Sequence, residues 1–170
     1  MSDFSNKNII YKLLRLAPVI ILYISVLNEF DLNYLKILSL NFPFILIYYW
    51  SLRKNDVLGY GYIFFAGLIN DSVVGLPIGI SSFNYLLICG FAAYLRTITL
   101  RPSLVKDWFF FLLTILVVNS LNYSILYLFF SIDLTYQSLF FNTTFTFIFY
   151  IFFANIFIIY QRNIFKEGND

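Results

Sequence analysis

The chain of 170 residues contains no histidine, a single cysteine and few charges. Without histidine, the commonest general base and the commonest metal ligand are missing. No carboxylate, cysteine or amide cluster has the spacing of a metal site, which argues against a zinc hydrolase. With Cys89 alone, no intrachain disulfide can form. It lies inside an apolar run and reads as a small packing residue rather than a reactive thiol. Charged residues make up 12% of the chain and hydrophobic ones 61%, with a mean hydropathy of +0.80. A soluble domain carries about 25% charged and about 45–50% apolar residues. There is too little polar surface here to coat a water-soluble globule. The composition predicts an integral membrane protein, with no catalytic residues, no cofactor, no bound metal and no nucleic-acid partner.

What the chain has in quantity is aromatic residues, 22 Phe and 14 Tyr. Phe, Tyr, Ile, Asn and Lys all have A/T-rich codons, so no single Phe carries functional weight. Tyr acts in bulk, because its amphipathic ring suits the membrane–water interface.

A hydrocarbon core of ~30 Å needs about 20 apolar residues as a helix. Six runs meet or nearly meet that length, at about 9–27, 34–52, 57–76, 78–95, 108–130 and 139–160. They predict an all-α fold of six transmembrane helices, packed as one compact bundle in a single domain over residues 1–170. The first run is read as an uncleaved span, since Asn28-Glu29 follows it and no small-x-small cleavage site precedes them. Pro18 is expected near its start, where proline costs a helix least. Pro43, with Asn41, is expected to kink the second span near its middle. Gly59, Gly61 and Gly67 punctuate the third and allow close helix approach. Asn119 and Asn122 are three apart and share a face of the fifth. The sixth carries Asn142 and Asn155.

Basic residues set the orientation. With the N-terminus in the cytoplasm, Lys7, Lys12, Arg15, Arg53, Lys54, Arg96, Arg101, Lys106, Arg162 and Lys166 fall inside, and only Lys36 falls outside. The pattern predicts six spans with both termini cytoplasmic. Loops are short, so function must sit within the membrane or on helix surfaces that face partners.

One stretch breaks the alternation of apolar runs and charged breaks. Gly67-Leu68-Ile69-Asn70-Asp71 ends one run, Gly75-Leu76-Pro77-Ile78-Gly79 follows, and the next run begins with no basic residue between. A third helix starting at Val57 would place Asp71 about a turn and a half inside its outer end. A lone carboxylate at full depth costs ~2–3 kcal/mol, less near the interface, and is by default a functional hypothesis. If the helix instead ends at Asn70, Asp71 merely meets the outer interface. Either way Gly75 and Gly79 permit a tight reversal, and Pro77 suits the first turn of the next helix.

Together with Trp50-Ser51-Leu52-Arg53, these two segments resemble the rod shape-determining MreD family. That family typically shows a Trp-x-x-Arg-Pro break, then G-L-x-x-D, then G-x-P-x-G. One position departs: Lys54 stands where the family often has proline. The resemblance covers nearly the whole chain in layout and about thirty residues in specific sequence. It implies a non-catalytic, multi-pass component of the bacterial cytoplasmic (inner) membrane, acting in cell-wall elongation. Its most direct partner would be MreC, and through it the MreB filament and the peptidoglycan synthases. The family also looks distantly like the six-helix substrate-binding subunits of energy-coupling vitamin transporters.

Two functions are therefore carried forward. In the first, the protein is a scaffold that engages partners through lipid-facing helices and cytoplasmic loops. Its candidate residues are Gly67, Asn70, Asp71, Gly75, Pro77 and Gly79 at the outer hairpin, with Arg53 and Arg96 on the cytoplasmic side. The plainer role of those basic residues is topology setting and attraction to anionic lipid of the bilayer. In the second, an outward cavity lined by Asn70, Asp71, Asn119 and Asn122 binds a small molecule for a transporter. The plainer role of the asparagines is interhelical hydrogen bonding. An intramembrane enzyme would need paired acids, a dyad or a metal, and Asp71 alone cannot divide acid and base roles.

Overall fold

The computed structural model describes residues 2–27, 40–54, 56–99, 103–131 and 136–165. The regular structure among them is helical throughout: α1 (Ser2–Leu27), α2 (Phe42–Arg53), α3 (Tyr60–Val74), α4 (Ile80–Ile98), α5 (Leu104–Phe130) and α6 (Tyr136–Phe165). Residues 34–39 of the expected second span, with Lys36, lie outside the described residues. So do Asn28, Glu29, Arg101, Pro102 and Lys166. Among the described residues, α5 and α6 are long and apolar enough to cross a membrane. With 12 and 15 residues, α2 and α3 rise about 18 and 22 Å, short of a ~30 Å hydrocarbon core.

The bundle is built around α2. Its sequence is apolar on all sides, and a helix of that kind is stable only when covered on all sides. Every residue from Pro43 to Leu52 is buried, against neighbours on α1, α4 and α6. The tyrosines can be buried because their polar tips are satisfied. The Tyr48 ring packs against the stacked pair of Phe111 and Tyr150, with centroids 4.9 and 5.7 Å away. Its hydroxyl donates to the Asp107 carbonyl at 3.2 Å. The Tyr49 hydroxyl donates to Gln161 Oε1 at 3.1 Å. On the far side, Trp108 stacks flat on Phe147 at 4.4 Å and donates its indole N–H to the Phe147 carbonyl.

Successive helices run antiparallel. At one end the Tyr160 hydroxyl of α6 donates to the Leu14 carbonyl of α1 at 2.6 Å, and Arg53 of α2 meets Asp107 of α5. At the other end Ser25, Asn41, Asn70, Ser81, Asn122 and Asn142, one from each helix or the residue before it, line a shared cavity. The outward faces of α5 and α6 are apolar, with Phe109, Leu113, Leu116, Leu128, Phe129 and Phe152 exposed. So large an apolar exterior suits hydrocarbon rather than water.

Three proline expectations are corrected. Pro18 lies in the interior of α1, because that helix begins at Ser2, ahead of the apolar run. Pro43 does not kink α2. It occupies the first turn, where the missing N–H has no intrahelical partner to lose. Pro77 precedes α4 altogether: its carbonyl accepts from the Ile80 N–H at 3.4 Å, and Gly79 is the N-cap.

The most extensive helix contact is between α3 and α4. A Cβ on Gly67 would run into the backbone of Ser82, whereas nothing stands within 4 Å of one on Gly61 or Gly90. The Ser82 hydroxyl reinforces the contact, donating to the Phe64 carbonyl at 2.9 Å. Gly67→Ala should therefore cost about 1–3 kcal/mol through overpacking, seen as a lower unfolding midpoint in detergent. Gly90→Ala should be neutral or slightly stabilising in the same assay.

Candidate functional site

The hairpin joining α3 to α4 is organised by one side chain. Asp71 lies in the last turn of α3 and is fully buried. Its backbone carbonyl accepts from the Leu76 N–H at 2.9 Å, and Gly75 in the left-handed region (φ 76°) ends the helix. Its carboxylate points the other way. Oδ2 accepts from the Gly79 N–H at 2.7 Å and Oδ1 from the Ser81 N–H at 2.8 Å.

The Ser81 N–H is one that an N-cap side chain normally satisfies, and the Gly79 N–H is the one that the N3 side chain of a capping box takes. The residue at the α4 N-cap is Gly79, held at φ 105° with no side chain to offer. Asp71 therefore caps α4 from the preceding helix. A single carboxylate fills both halves of a capping box, and its charge faces the positive end of the α4 dipole. Beside it, Asn70 Nδ2 donates to Ser81 Oγ at 2.9 Å. The two readings of Asp71 are thus resolved together: it is helical, and it sits where α3 ends.

Arg53 and Arg96 are not equivalent. Arg53, the last residue of α2, is ion-paired with Asp107, whose side chain is 3% exposed. Arg96 is exposed in the last turn of α4. Asp107 was not singled out in the sequence, where it reads as the end of a basic connection. The usable signal was an acid directly before Trp108 and the fifth apolar run. The Lys54 departure also has a structural account. Its N–H donates to the Trp50 carbonyl at 2.8 Å and closes α2, a bond that proline could not make. Cys89 is buried as expected of a packing residue, with its Sγ 3.1 Å from Ser51 Oγ.

The cavity at the hairpin end has a volume of about 290 Å³. Among the described residues six asparagines line it: Asn41, Asn70, Asn84, Asn119, Asn122 and Asn142. Asn70, Asn119 and Asn122 were expected there and are brought together. Asp71 was also expected but is not in the lining, because its carboxylate is directed into the α4 backbone. Asn41, Asn84 and Asn142 were not expected, since each belongs to a different helix or its cap, with no local motif. Asn119 Nδ2 donates to Thr143 Oγ1 at 2.7 Å. Asn84 Oδ1 and Asn122 Oδ1 are buried and accept no hydrogen bond. Among the described residues no group of three or more His, Cys, Asp or Glu side chains is placed to hold a metal ion.

Two substitution experiments probe these fixings. Asp71→Ala leaves the buried Ser81 N–H unpaired, at about 1–3 kcal/mol, and the part-buried Gly79 N–H without its acceptor at a smaller cost. Asp71→Asn keeps one acceptor and should fall between Ala and wild type in unfolding midpoint. Arg53→Met strands a buried carboxylate at a cost of about 3–5 kcal/mol, and Arg53→Met with Asp107→Leu should recover most of that loss.

No curated protein and no solved structure matches the chain. A family model does, over residues 7–165, and it spans the hairpin, the Arg53–Asp107 pair and every residue that lines the cavity. The chain belongs to the family of the rod shape-determining protein MreD, a family of membrane proteins.

Proposed function

We propose that the protein is a non-catalytic scaffold of the rod-shape, cell-wall elongation complex in the bacterial inner membrane. It crosses that membrane six times with both termini cytoplasmic, and it engages MreC most directly, MreB and the peptidoglycan synthases through it. The observation that carries this reading is how the family-like motif residues are used. Gly67, Asp71, Gly75 and Gly79 each commit their special property to backbone geometry: a close approach, a cap and two left-handed turns. A motif spent in this way fixes a shape for others to bind. The distribution of Lys and Arg supports the orientation, with the Arg53 end inside and the hairpin outside. The apolar exteriors of α5 and α6 offer surfaces for a partner helix.

A second reading, a small-molecule-binding subunit of an energy-coupling transporter, is favoured only by the asparagine-lined cavity. Affinity purification from native membranes in mild detergent separates the two. MreC and wall synthases are the expected partners, and recovery of a transport ATPase pair would overturn the scaffold reading. In cells lacking the wild-type copy, Asp71→Ala should give rounded cells and reduced MreC recovery. Full rod-shape rescue by an Asp71→Ala protein that accumulates normally would falsify the role given to the hairpin.

A further inference from the structure

The cavity at the hairpin end is unusual in what it offers. Its lining includes six side-chain amides, each with a donor and an acceptor, and the hydroxyls of Ser25 and Ser81. Among the described residues the lining includes no Lys, Arg, Asp or Glu. Two of its acceptors, Asn84 Oδ1 and Asn122 Oδ1, are buried without a donor. Asn84 is only 4% exposed, so bulk water does not reach most of it. An orphaned buried acceptor is costly, and two of them beside one cavity point to an occupant that donates.

The lack of charge among the described lining residues narrows the occupant further. A phosphate or carboxylate would enter with no cation to meet it, and an ammonium would find no anion. Burying an unpaired charge is far costlier than burying a hydroxyl. The occupant is therefore neutral, and it must both donate and accept to match amides. Hydroxyl groups do both. The Phe44 and Tyr85 rings, edge-to-face at 5.9 Å, form part of the same wall. They give an apolar surface for the C–H face of a ring-shaped ligand. The volume of about 290 Å³ is at the small end of ligand pockets, which run from about 300 to 1,000 Å³.

We infer that this cavity is a binding site for a neutral polyhydroxylated ring, a sugar unit, held by Asn84 and Asn122 against Phe44 and Tyr85. The inference does not depend on the scaffold reading, because it concerns the ligand and not the protein partner. A sugar unit could arrive free or as the neutral headgroup of a glycolipid, and both present the same hydroxyls.

The test uses the full-length protein in phosphatidylcholine nanodiscs, free of sugar detergents that would occupy the site. Saturation-transfer NMR is recorded with methyl glucopyranoside, with glucose 6-phosphate and with glucosamine. The neutral sugar should bind saturably in the millimolar range or tighter, and the two charged sugars at least tenfold more weakly. Asn122→Leu and, separately, Asn84→Ser should each weaken binding at least tenfold while the unfolding midpoint still shows a folded protein. Repeating the titration with a neutral glycolipid in the nanodisc distinguishes the sources: competition with the free sugar identifies a headgroup site, and lack of competition a site for free sugar. Equal binding of the phosphorylated sugar, or no saturable binding of the neutral one, overturns the inference. So does displacement of nothing but an extended peptide, which would make the occupant a polypeptide.

Discussion

Two backbone N–H groups at the start of α4 need an acceptor, and the fold depends on where they find it. The chain reverses between Gly75 and Gly79, too tightly for a conventional capping residue at the N-cap. The acceptor comes instead from Asp71, one helix back. This arrangement makes α3 and α4 a single unit. The helices cannot separate without stranding the amides, and cannot slide without driving Gly67 into Ser82. The unit in turn holds Asn70, Ser81 and Asn84 at the cavity wall.

At the opposite end a second polar fixing does comparable work over a longer distance. Arg53 and Asp107 are 54 positions apart in sequence and tie the end of α2 to the start of α5. A buried ion pair adds little net stability against an apolar alternative, but losing one partner is severe. Its consequence is positional. With Tyr48 reaching the Asp107 carbonyl and Tyr49 reaching Gln161, the pair fixes the height of α2 between its neighbours. The two fixings lie at opposite ends of the bundle, so the apolar contacts between them have a defined register.

Much of this was legible in the sequence. Long apolar runs place helices well, because apolar length is a local property, and each of the six expected runs overlaps one helix, with residues 34–39 of the second outside the described residues. Asn119 and Asn122 were legible as cavity residues through their spacing. Proline was misread three times. It marks a break in the hydrogen-bonding pattern without saying on which side the helix lies, and the first turns at Pro43 and the turn at Pro77 are equally good solutions. The capping role of Asp71 was hidden because caps are sought next to the helix they serve. A glycine at the N-cap with an aspartate eight residues upstream is a signal that local reading passes over. The Arg53–Asp107 pair and the contributions of Asn41, Asn84 and Asn142 were invisible, since they exist only once separate helices meet.

The complete enclosure of α2 divides the chain by the kind of selection its residues experience. A side chain such as Phe109 or Phe152 faces outward, and hydrocarbon accepts any apolar shape. Ile45, Leu46 and Ile47 meet protein on every side, where a change of one methylene is felt. Hydrophobic residues that look interchangeable in composition thus belong to two populations. Substitutions should drift freely on the outer faces of α5 and α6 while α2 stays nearly fixed in volume, so over evolutionary time the fully enclosed helix would carry the most specific sequence.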